Sequence, residues 1–448
     1  MTTTQRTFQS LRVRNYRLFF AGQLTSQIGA WMQRIALAWY VLELTKSPQY
    51  PHGSPIAVGV MAFMQFLPFT LFGLFAGVLV DRFDARRTVI FTQAASLVFA
   101  ALLAGFTLTG DIAVNLVYGL TALRGAILVL DAPARQALTF QMVGRDELPN
   151  AVALNSSLFN AARVIGPAVG GGVVALAGAG ACFAINAVSF LAVLTALLMM
   201  RRSEFLPVER AAERPTLLRG TLEAFAYVRH TRTAWLALLV VVVVANLSFN
   251  FNVLLPVLAH SLGGGPAVFG IISACFGFGA LTGALVSASR GRASWGFLVA
   301  GTAGFGAAQL VLAPLASVIG ASALLYVTGL CFTTWTSNAN SLLQLSAPDH
   351  LRGRVVGLYF FAFNGAGPLG GLMSGWLAQR GGTRLAFAVA GASALLVAAF
   401  AGWVVSGRTV PDVRFPALRR SISDGRGGPS RTAPRAARSG THRRIAKP

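Results

Sequence analysis

Residues 55–80 read PIAVGVMAFMQFLPFTLFGLFAGVLV and residues 88–109 read TVIFTQAASLVFAALLAGFTLT, with the charged segment DRFDARR between them at 81–87. Each apolar block has the roughly twenty residues that an α-helix needs to cross a hydrocarbon core about 30 Å thick. Lipid offers the backbone no hydrogen-bond partners, so a block of this length must be helical. The stretch therefore predicts two membrane-spanning helices joined by a short polar loop.

The same pattern recurs along most of the chain. Of the 448 residues, 55% are hydrophobic and only 11% are charged, whereas soluble proteins carry roughly 25% charged residues. A soluble surface cannot be covered with so few charges, so we predict an all-α membrane protein. The twelve predicted spans are 17–45, 55–80, 88–109, 112–135, 152–178, 181–200, 234–259, 266–288, 295–313, 318–342, 355–379 and 384–405.

Lysine and arginine are distributed unevenly between the predicted loops. With the N-terminus placed inside, 31 of the 37 basic residues fall in inside segments, and only Lys46, Arg380 and Arg384 fall outside. Cytoplasmic loops carry such an excess, which predicts a multi-pass protein of the inner or plasma membrane with both termini cytoplasmic. Nucleic-acid binders instead cluster basic residues on a folded polar domain. The net charge of +23 therefore does not indicate a nucleic-acid partner.

An internal repeat predicts two halves. DEL at 146–148 leads to GPAVGG at 166–171, and DHL at 349–351 leads to GPLGG at 367–371. Parallel halves of this kind suit transporters that work by alternating access. The predicted parts are a first six-helix bundle, a cytoplasmic central loop, a second six-helix bundle and a basic disordered tail, at 1–200, 201–232, 233–405 and 406–448.

The sequence carries no sign of an enzyme. It has no ATP-binding loop of the Gly-x-x-x-x-Gly-Lys-Ser type, and its cysteines and histidines are scattered without metal-ligand spacing. We therefore expect no cofactor, no metal and no catalytic residue.

The loop GVLVDRFDARR at 77–87 resembles the signature loop of the major facilitator superfamily, a Gly-x-Leu-x-Asp-Arg core followed by basic residues. Asp84 stands where a glycine is usual in that loop, and Ala85 where a basic residue is usual. The resemblance implies a gating role for this motif. The residues concerned are Gly77, Asp81, Arg82, Arg86 and Arg87.

Longer stretches are similar to one branch of that superfamily, the enterobactin-exporter-like and macrolide-efflux-like permeases. These stretches are NYRLF at 15–19, GQL at 22–24, WMQRIA at 31–36, DAPARQA at 131–137 and NAVALNS at 150–156. The resemblance covers residues 10–200 well and the second half more loosely. It implies twelve transmembrane helices in two pseudo-symmetric six-helix bundles, the major facilitator fold.

The segment GPAVGG in span 5 is similar to the end of the motif associated with antiporters, although Ala153 and Ala162 replace its upstream glycines. The residues of this antiporter-like motif are Arg163, Gly166, Pro167 and Gly170. Small residues also let helices pack closely, so helix packing and an antiport role both remain open.

Three arginines, Arg34, Arg124 and Arg163, fall near the middle of spans in the first half, while spans 7 to 12 contain no Asp, Glu, Lys or Arg apart from Arg384, the first residue of span 12. An ionised group at that depth costs roughly 2.5–3.5 kcal/mol on insertion scales and suggests function. The arginines either bind an anionic or carbonyl-rich substrate or hold helices together. The resemblance places spans 1, 4, 7 and 10 around a central cavity. The candidate cavity residues are Gln27, Arg34, Arg124, Asn246, Asn250 and Asn338.

Acidic residues in the membrane are scarce, and three are candidates for proton coupling: Asp131, Asp81 and Glu43. Asp131 lies within span 4, whereas Glu43 near the outer end of span 1 is either a coupling acid or an interfacial carboxylate. We expect Asp81 and Asp131 to pair with Arg82, Arg86 or Arg135, closing the cytoplasmic side, and Asp81 to meet the positive N-terminal end of span 11.

These observations predict a secondary active transporter that exports an amphipathic small molecule, such as a drug, siderophore or secondary metabolite, by proton antiport and alternating access. The expected partners are this substrate, protons and membrane lipids, and we expect a monomer. Two other functions remain open. One is a permease that handles lysolipids, and the other is a receptor or scaffold that does not transport.

Overall fold

The computed structural model of this chain describes residues 8–76, 80, 82–206, 217–290, 293–365 and 367–406. The motif residues Gly77 and Asp81, and the predicted tail from residue 407 onward, lie outside the described residues. Within the described ranges the regular elements are helices, and no strand occurs there.

Most membrane-spanning helices are separate, continuous elements. In chain order they are α1 Arg14–Leu44, α2 Pro55–Phe72, α3 Ala85–Thr109, then α4 to α6 within the continuous stretch Val114–Leu198, α7 Arg232–Ser261, α8 Pro266–Arg290, α9 Trp295–Leu312, α10 Val318–Ser346, and α11 and α12 within Asp349–Gly365 and Gly367–Ser406. A π-helical turn, Val244–Ser248, interrupts α7.

Glycines divide the two long stretches. Val114–Leu198 has 85 residues, which at about 1.5 Å per residue is several times the thickness of a membrane. Gly144 (φ 71°) and Gly178 (φ 80°) break it into α4 (114–143), α5 (145–177) and α6 (179–198). Gly382 (φ 68°) likewise separates α11 (349–365 and 367–380) from α12 (383–406). Backbone with positive φ is open to glycine without steric cost, so one residue reverses the chain at Gly144 and at Gly178, and two residues, Gly381 and Gly382, do so between α11 and α12.

The number of membrane-spanning helices agrees with the prediction. Eight stretches of the described chain are long and apolar enough to span a membrane, and dividing the two long ones raises the number to eleven. The twelfth is α1, whose 31 residues are sufficient in length but include several polar side chains. The described residues therefore confirm an all-α, multi-pass membrane protein with twelve transmembrane helices.

A further helix lies in the predicted central loop. This linker helix, Leu217–His230, contacts the second half of the protein. The Tyr227 hydroxyl donates to the backbone carbonyl of Ser346 at the end of α10, and Glu223 pairs with Arg354 of α11 at 2.5 Å. The linker helix is thus fastened to α10 and α11.

We call the side of the membrane where α1 begins and α12 ends the termini face, and the opposite side the far face. Several contacts at the far face join the two halves. Trp39 of α1 stacks on His260 of α7 with 4.1 Å between ring centres. The Gln379 side-chain oxygen of α11 accepts hydrogen bonds from the Ser54 hydroxyl at 2.9 Å and the Ile56 amide at 3.1 Å. These polar and ring contacts close the far face.

Glycines bring the backbones of the two halves together beneath those contacts. A Cβ atom added to Gly171 of α5 would lie 2.7 Å from the Cα of Gly270 and from the carbonyl oxygen of Pro266 in α8. On the other side of the protein, Gly59 of α2 packs against Gly371 and Gly375 of α11 in the same way. At both contacts no side chain lies between the two helix backbones. Small residues allow helices in membranes to approach this closely.

We expect Gly171→Ala to destabilise the protein by about 1–3 kcal/mol, because the added methyl group overpacks a backbone contact. Gly172→Ala is the matched control, since a Cβ at Gly172 meets no atom within 4 Å and alanine favours the helix. Thermal unfolding of the purified variants in one detergent measures the difference. Equal melting temperatures for the two variants would contradict the close crossing.

Candidate functional site

A cavity of about 550 Å³ lies between the two halves, in the middle of the membrane. Helices α1, α2 and α5 of the first half and α7, α8, α10 and α11 of the second half line it. Its volume is within the range of small-molecule binding sites. The cavity is therefore the candidate site for a transported molecule.

The first half gives the cavity a cationic wall. The guanidinium of Arg34 lies 4.2 Å from the centre of the Trp31 ring, and that of Arg163 lies 5.1 Å from the centre of Phe159. The Nε atoms of both arginines are buried and have no hydrogen-bond partner among the described residues. Aromatic faces stabilise a nearby cation by about 0.5–2 kcal/mol, but they do not satisfy its N–H groups.

The second half gives the cavity an aromatic wall. Phe249 and Phe332 stack with their centres 4.3 Å apart, and Phe251 and Phe276 stack at 4.7 Å. Phe363 packs against this group, 5.5 Å from Phe249. None of the described second-half residues that line the cavity is charged. The two walls together suit a molecule with an anionic group and a flat apolar body.

The structure brings only part of the predicted cavity set together. Arg34 lines the central cavity, and Arg124 lies beside it at a smaller cavity of about 20 Å³ that Arg34 also lines. Gln27 lines a third cavity of about 290 Å³ within the first half, together with Arg135. Asn250 lines a fourth, of about 50 Å³. These polar residues thus occupy adjoining spaces and do not form one shell.

The predicted asparagines of the second half form hydrogen bonds with backbone groups of the helices. Asn246 donates to the Val242 carbonyl at 2.7 Å, and Asn250 donates to the Asn246 carbonyl at 2.6 Å, across the π-helical turn. The Asn338 side chain accepts from the Ser294 amide at 3.1 Å and so ties α10 to the start of α9. Their observed bonds are those of helix packing, and substrate contact by these residues stays a prediction.

The acidic candidates lie at different depths. Asp131 of α4 is 5% exposed, and it accepts from Thr92 and Gln93 of α3 at 2.5 and 2.9 Å and pairs with Arg135 at 2.5 Å. Glu43 pairs with Lys46 at 2.6 Å near the far face, where both side chains are partly exposed. Asp81 lies outside the described residues. The predicted pairing of Asp131 with Arg135 is present.

Arg163 was predicted from the antiporter-like motif and not as a cavity residue, yet it lines the cavity together with Pro167. The neighbouring Gly166 and Gly170 pack against Trp31 and Met32 of α1, so close that a Cβ at either glycine would clash. The motif thus holds α5 against α1 and aims Arg163 inward. The aromatic residues Trp31 and Phe159 could have been found from spacing, since each lies three or four residues before its arginine.

The described residues of the gating motif cap the N-terminus of α3 and bind it to α6. Arg86 donates to the Leu197 carbonyl at 2.6 and 3.0 Å, and so binds the C-terminal end of α6. Asp84 accepts from the backbone amide of Arg87 at 2.8 Å and caps α3. The residue that departs from the superfamily's usual glycine therefore acts as an N-cap, a position that aspartate favours. The Arg82 side chain is exposed.

Twelve helices in two halves around a central cavity define a membrane transporter of the major facilitator fold, and not an enzyme. A solved POT family transporter in complex with 5-aminolevulinic acid matches with a TM-score of 0.69 and 12% identity, covering 88% of this chain and 96% of that chain. The nucleoside transporter NupG (D323A mutant) matches with a TM-score of 0.67 and 13% identity, covering 87% and 99%. At these identities the likeness supports the fold alone.

The chain belongs to the transmembrane secretion effector family, which matches residues 5–415. The staphyloferrin A transporter of Staphylococcus aureus is 24% identical over 85% of this chain and 94% of its own length. The multidrug efflux pump Tap of Mycolicibacterium fortuitum is 25% identical over 83% and 90%. Macrolide efflux protein A of Streptococcus pyogenes is 24% identical over 86% and 95%. These findings confirm the resemblance inferred from the sequence and identify a transporter of small molecules.

We expect Arg86→Gln to lower the free energy of unfolding by about 1–2 kcal/mol, because the hydrogen bonds of a charged group to the end of α6 are lost. Arg87→Gln, at an exposed side chain in the same motif, should change it by less than about 0.5 kcal/mol. Thermal unfolding in detergent compares the two variants. A larger loss in Arg87→Gln would contradict the role assigned to Arg86.

Proposed function

We propose that this protein exports an amphipathic small molecule with an anionic group, such as a drug, siderophore or secondary metabolite, by secondary active transport. The observation that carries the proposal is the cavity with one cationic wall and one aromatic wall. The names of the relatives, a siderophore transporter and two efflux proteins, support the direction and the substrate class.

Alternating access accounts for the way the halves meet. The contacts of Trp39 with His260 and of Gly171 with Gly270 lie toward the far face. On its termini side the cavity is lined by Asn160 and Ser337. With the basic loops cytoplasmic, the far-face contacts close the outer side of the cavity. Export then requires the far-face contacts to separate after the substrate has bound, a rigid-body change between two packed arrangements.

Proton antiport is proposed to use Asp131. Its carboxylate is buried between α3 and α4 and is held by one arginine and two neutral donors. Protonation would release Arg135 from the pair, and Arg135 lines the cavity of about 290 Å³ on α1, α4 and α5. Glu43 is the second candidate, and a gate formed by Asp81 remains a prediction.

We expect Arg34→Gln and Arg163→Gln each to reduce transport of a carboxylated fluorescent dye by about tenfold or more, because each removes a charged donor from the cavity wall. A cationic dye of similar size should lose much less. Arg384→Gln, at an exposed residue near the far face, is the control. Dye efflux from proteoliposomes measures the rates, and equal transport of both dyes by all variants would overturn the proposed site.

A deletion strain tests the export function itself. It should become more sensitive to some amphipathic drugs or metabolites, and the wild-type advantage should disappear when a protonophore is added. A labelled lysolipid in the same proteoliposome assay tests the alternative substrate class. A strain with no change in any susceptibility, together with Arg34→Gln protein that behaves like wild type, would favour the scaffold hypothesis and contradict export.

We expect Asp131→Asn to abolish transport driven by a pH gradient while leaving substrate exchange across the membrane. Asparagine can still accept hydrogen bonds from Thr92 and Gln93, but it cannot carry a proton. Thr92→Val is the control, because it removes one hydrogen bond and keeps the carboxylate. Rates with and without an imposed pH gradient measure the effect. Gradient-driven transport at the wild-type rate in Asp131→Asn would exclude Asp131 as the coupling acid.

A further inference from the structure

The cavity of about 20 Å³ beside the central site brings together four residues that each have a polar atom without a partner. Arg34, Arg124, Gln33 and Thr121 line it. The Nε atoms of both arginines, the Gln33 Nε2 and the Thr121 hydroxyl are buried and have no hydrogen-bond partner among the described residues. All four can donate a hydrogen bond, and each orphaned buried donor costs about 1–3 kcal/mol. Such a group of donors calls for a shared acceptor.

The orientation of Gln33 supports a donor role at this cavity. The Asn186 side chain donates to the Gln33 side-chain oxygen, and the Ser189 hydroxyl contacts the Asn186 oxygen at 3.1 Å. This network engages the oxygen of the Gln33 amide and leaves its Nε2 for the cavity. Gln33 is 1% exposed and Thr121 is 5% exposed, so bulk water does not satisfy either group.

The charge around this cavity is positive. Arg34 and Arg124 both line it with their cationic side chains. None of the described residues that line the cavity is acidic, and the rest of its wall beyond the four donor residues is apolar except for the neutral amides of Gln65 and Asn252. Like charges repel strongly in such a low-dielectric setting. Asp131, on the same helix as Arg124, is already engaged by Thr92, Gln93 and Arg135.

We propose that this cavity is a halide site in which one chloride ion accepts hydrogen bonds from Arg34, Arg124, Gln33 and Thr121. The volume limits the occupant to one small particle, since about 10–15 Å³ is needed to hold a water and a cavity of about 20 Å³ cannot admit a carboxylate-bearing substrate. A monatomic anion both satisfies the donors and neutralises part of the charge. Because Arg34 also lines the central cavity, the ion lies directly behind the proposed substrate wall.

Binding of radioactive chloride to the purified full chain in lipid nanodiscs tests this site without requiring transport. Ionic strength is held constant with gluconate. We expect saturable binding of about one ion per chain, displaced by bromide but not by sulfate or gluconate. Binding that does not saturate, or that sulfate displaces equally well, would overturn the halide site while leaving the proposed export function untouched.

Variants with small shape changes locate the ion. Thr121→Val and Gln33→Leu should each weaken chloride affinity by about tenfold or more, as the loss of a hydrogen bond to a charged group does. Thr328→Val and Gln309→Leu are the matched controls, because they replace buried side chains of the same types in the second half. Wild-type affinity in both first-half variants, with each protein folded by thermal unfolding, would contradict the proposal.

Discussion

A guanidinium group in the interior of a membrane needs partners, and the first half of this protein holds three such groups. Arg34, Arg124 and Arg163 stand on three helices, and their Nε atoms are buried without partners in the described chain. Rings of Trp31 and Phe159 stabilise two of them. The unpartnered N–H groups still require anionic acceptors. Arg34 lines both the central cavity and the small cavity beside it, so both cavities can hold such an acceptor.

The second half supplies the opposite wall of the central cavity, and the described residues of that wall carry no charge. Its aromatic residues pack ring on ring from Phe249 to Phe332, while the linker helix is fastened to α10 and α11 by Tyr227 and Glu223. The halves then meet through glycine backbones, as at Gly171 and Gly270. The glycine and ring contacts themselves contain no hydrogen bonds, so separating them breaks only the bonds that side chains such as Gln379 make between the halves.

The number and position of the helices followed from the sequence because bilayer thickness imposes a length that composition alone reveals. The region 135–150 was predicted as a loop, but α4 continues to residue 143 and α5 begins at 145. Polar residues there indicate only that the chain leaves the lipid, and a helix can continue into water. The single left-handed residue Gly144 makes the turn.

The site was predictable in part. Helical spacing predicts that Arg34 faces the interior of the protein. It does not predict which helices pack beside Arg34, because that depends on contacts between residues far apart in the sequence. Asn338 illustrates the difficulty, since it was predicted to line the cavity and yet its side chain bonds to the Ser294 amide of the neighbouring helix. Asp84 stands where the superfamily's loop usually has a glycine, and the sequence alone does not explain this difference. The structure explains it, because the Asp84 carboxylate caps the N-terminus of α3.

The two unlike walls of the central cavity belong to different halves of the protein, and in the proposed alternating-access cycle this separates occupancy from movement. A molecule that offers only a carboxylate engages the first half, and one that offers only a flat ring engages the second. Neither kind bridges the gap, so each would sit in the protein as a competitor without being carried. Only a compound long enough to touch both walls links the motion of one half to the other, and this sets a lower limit on the size of the cargo.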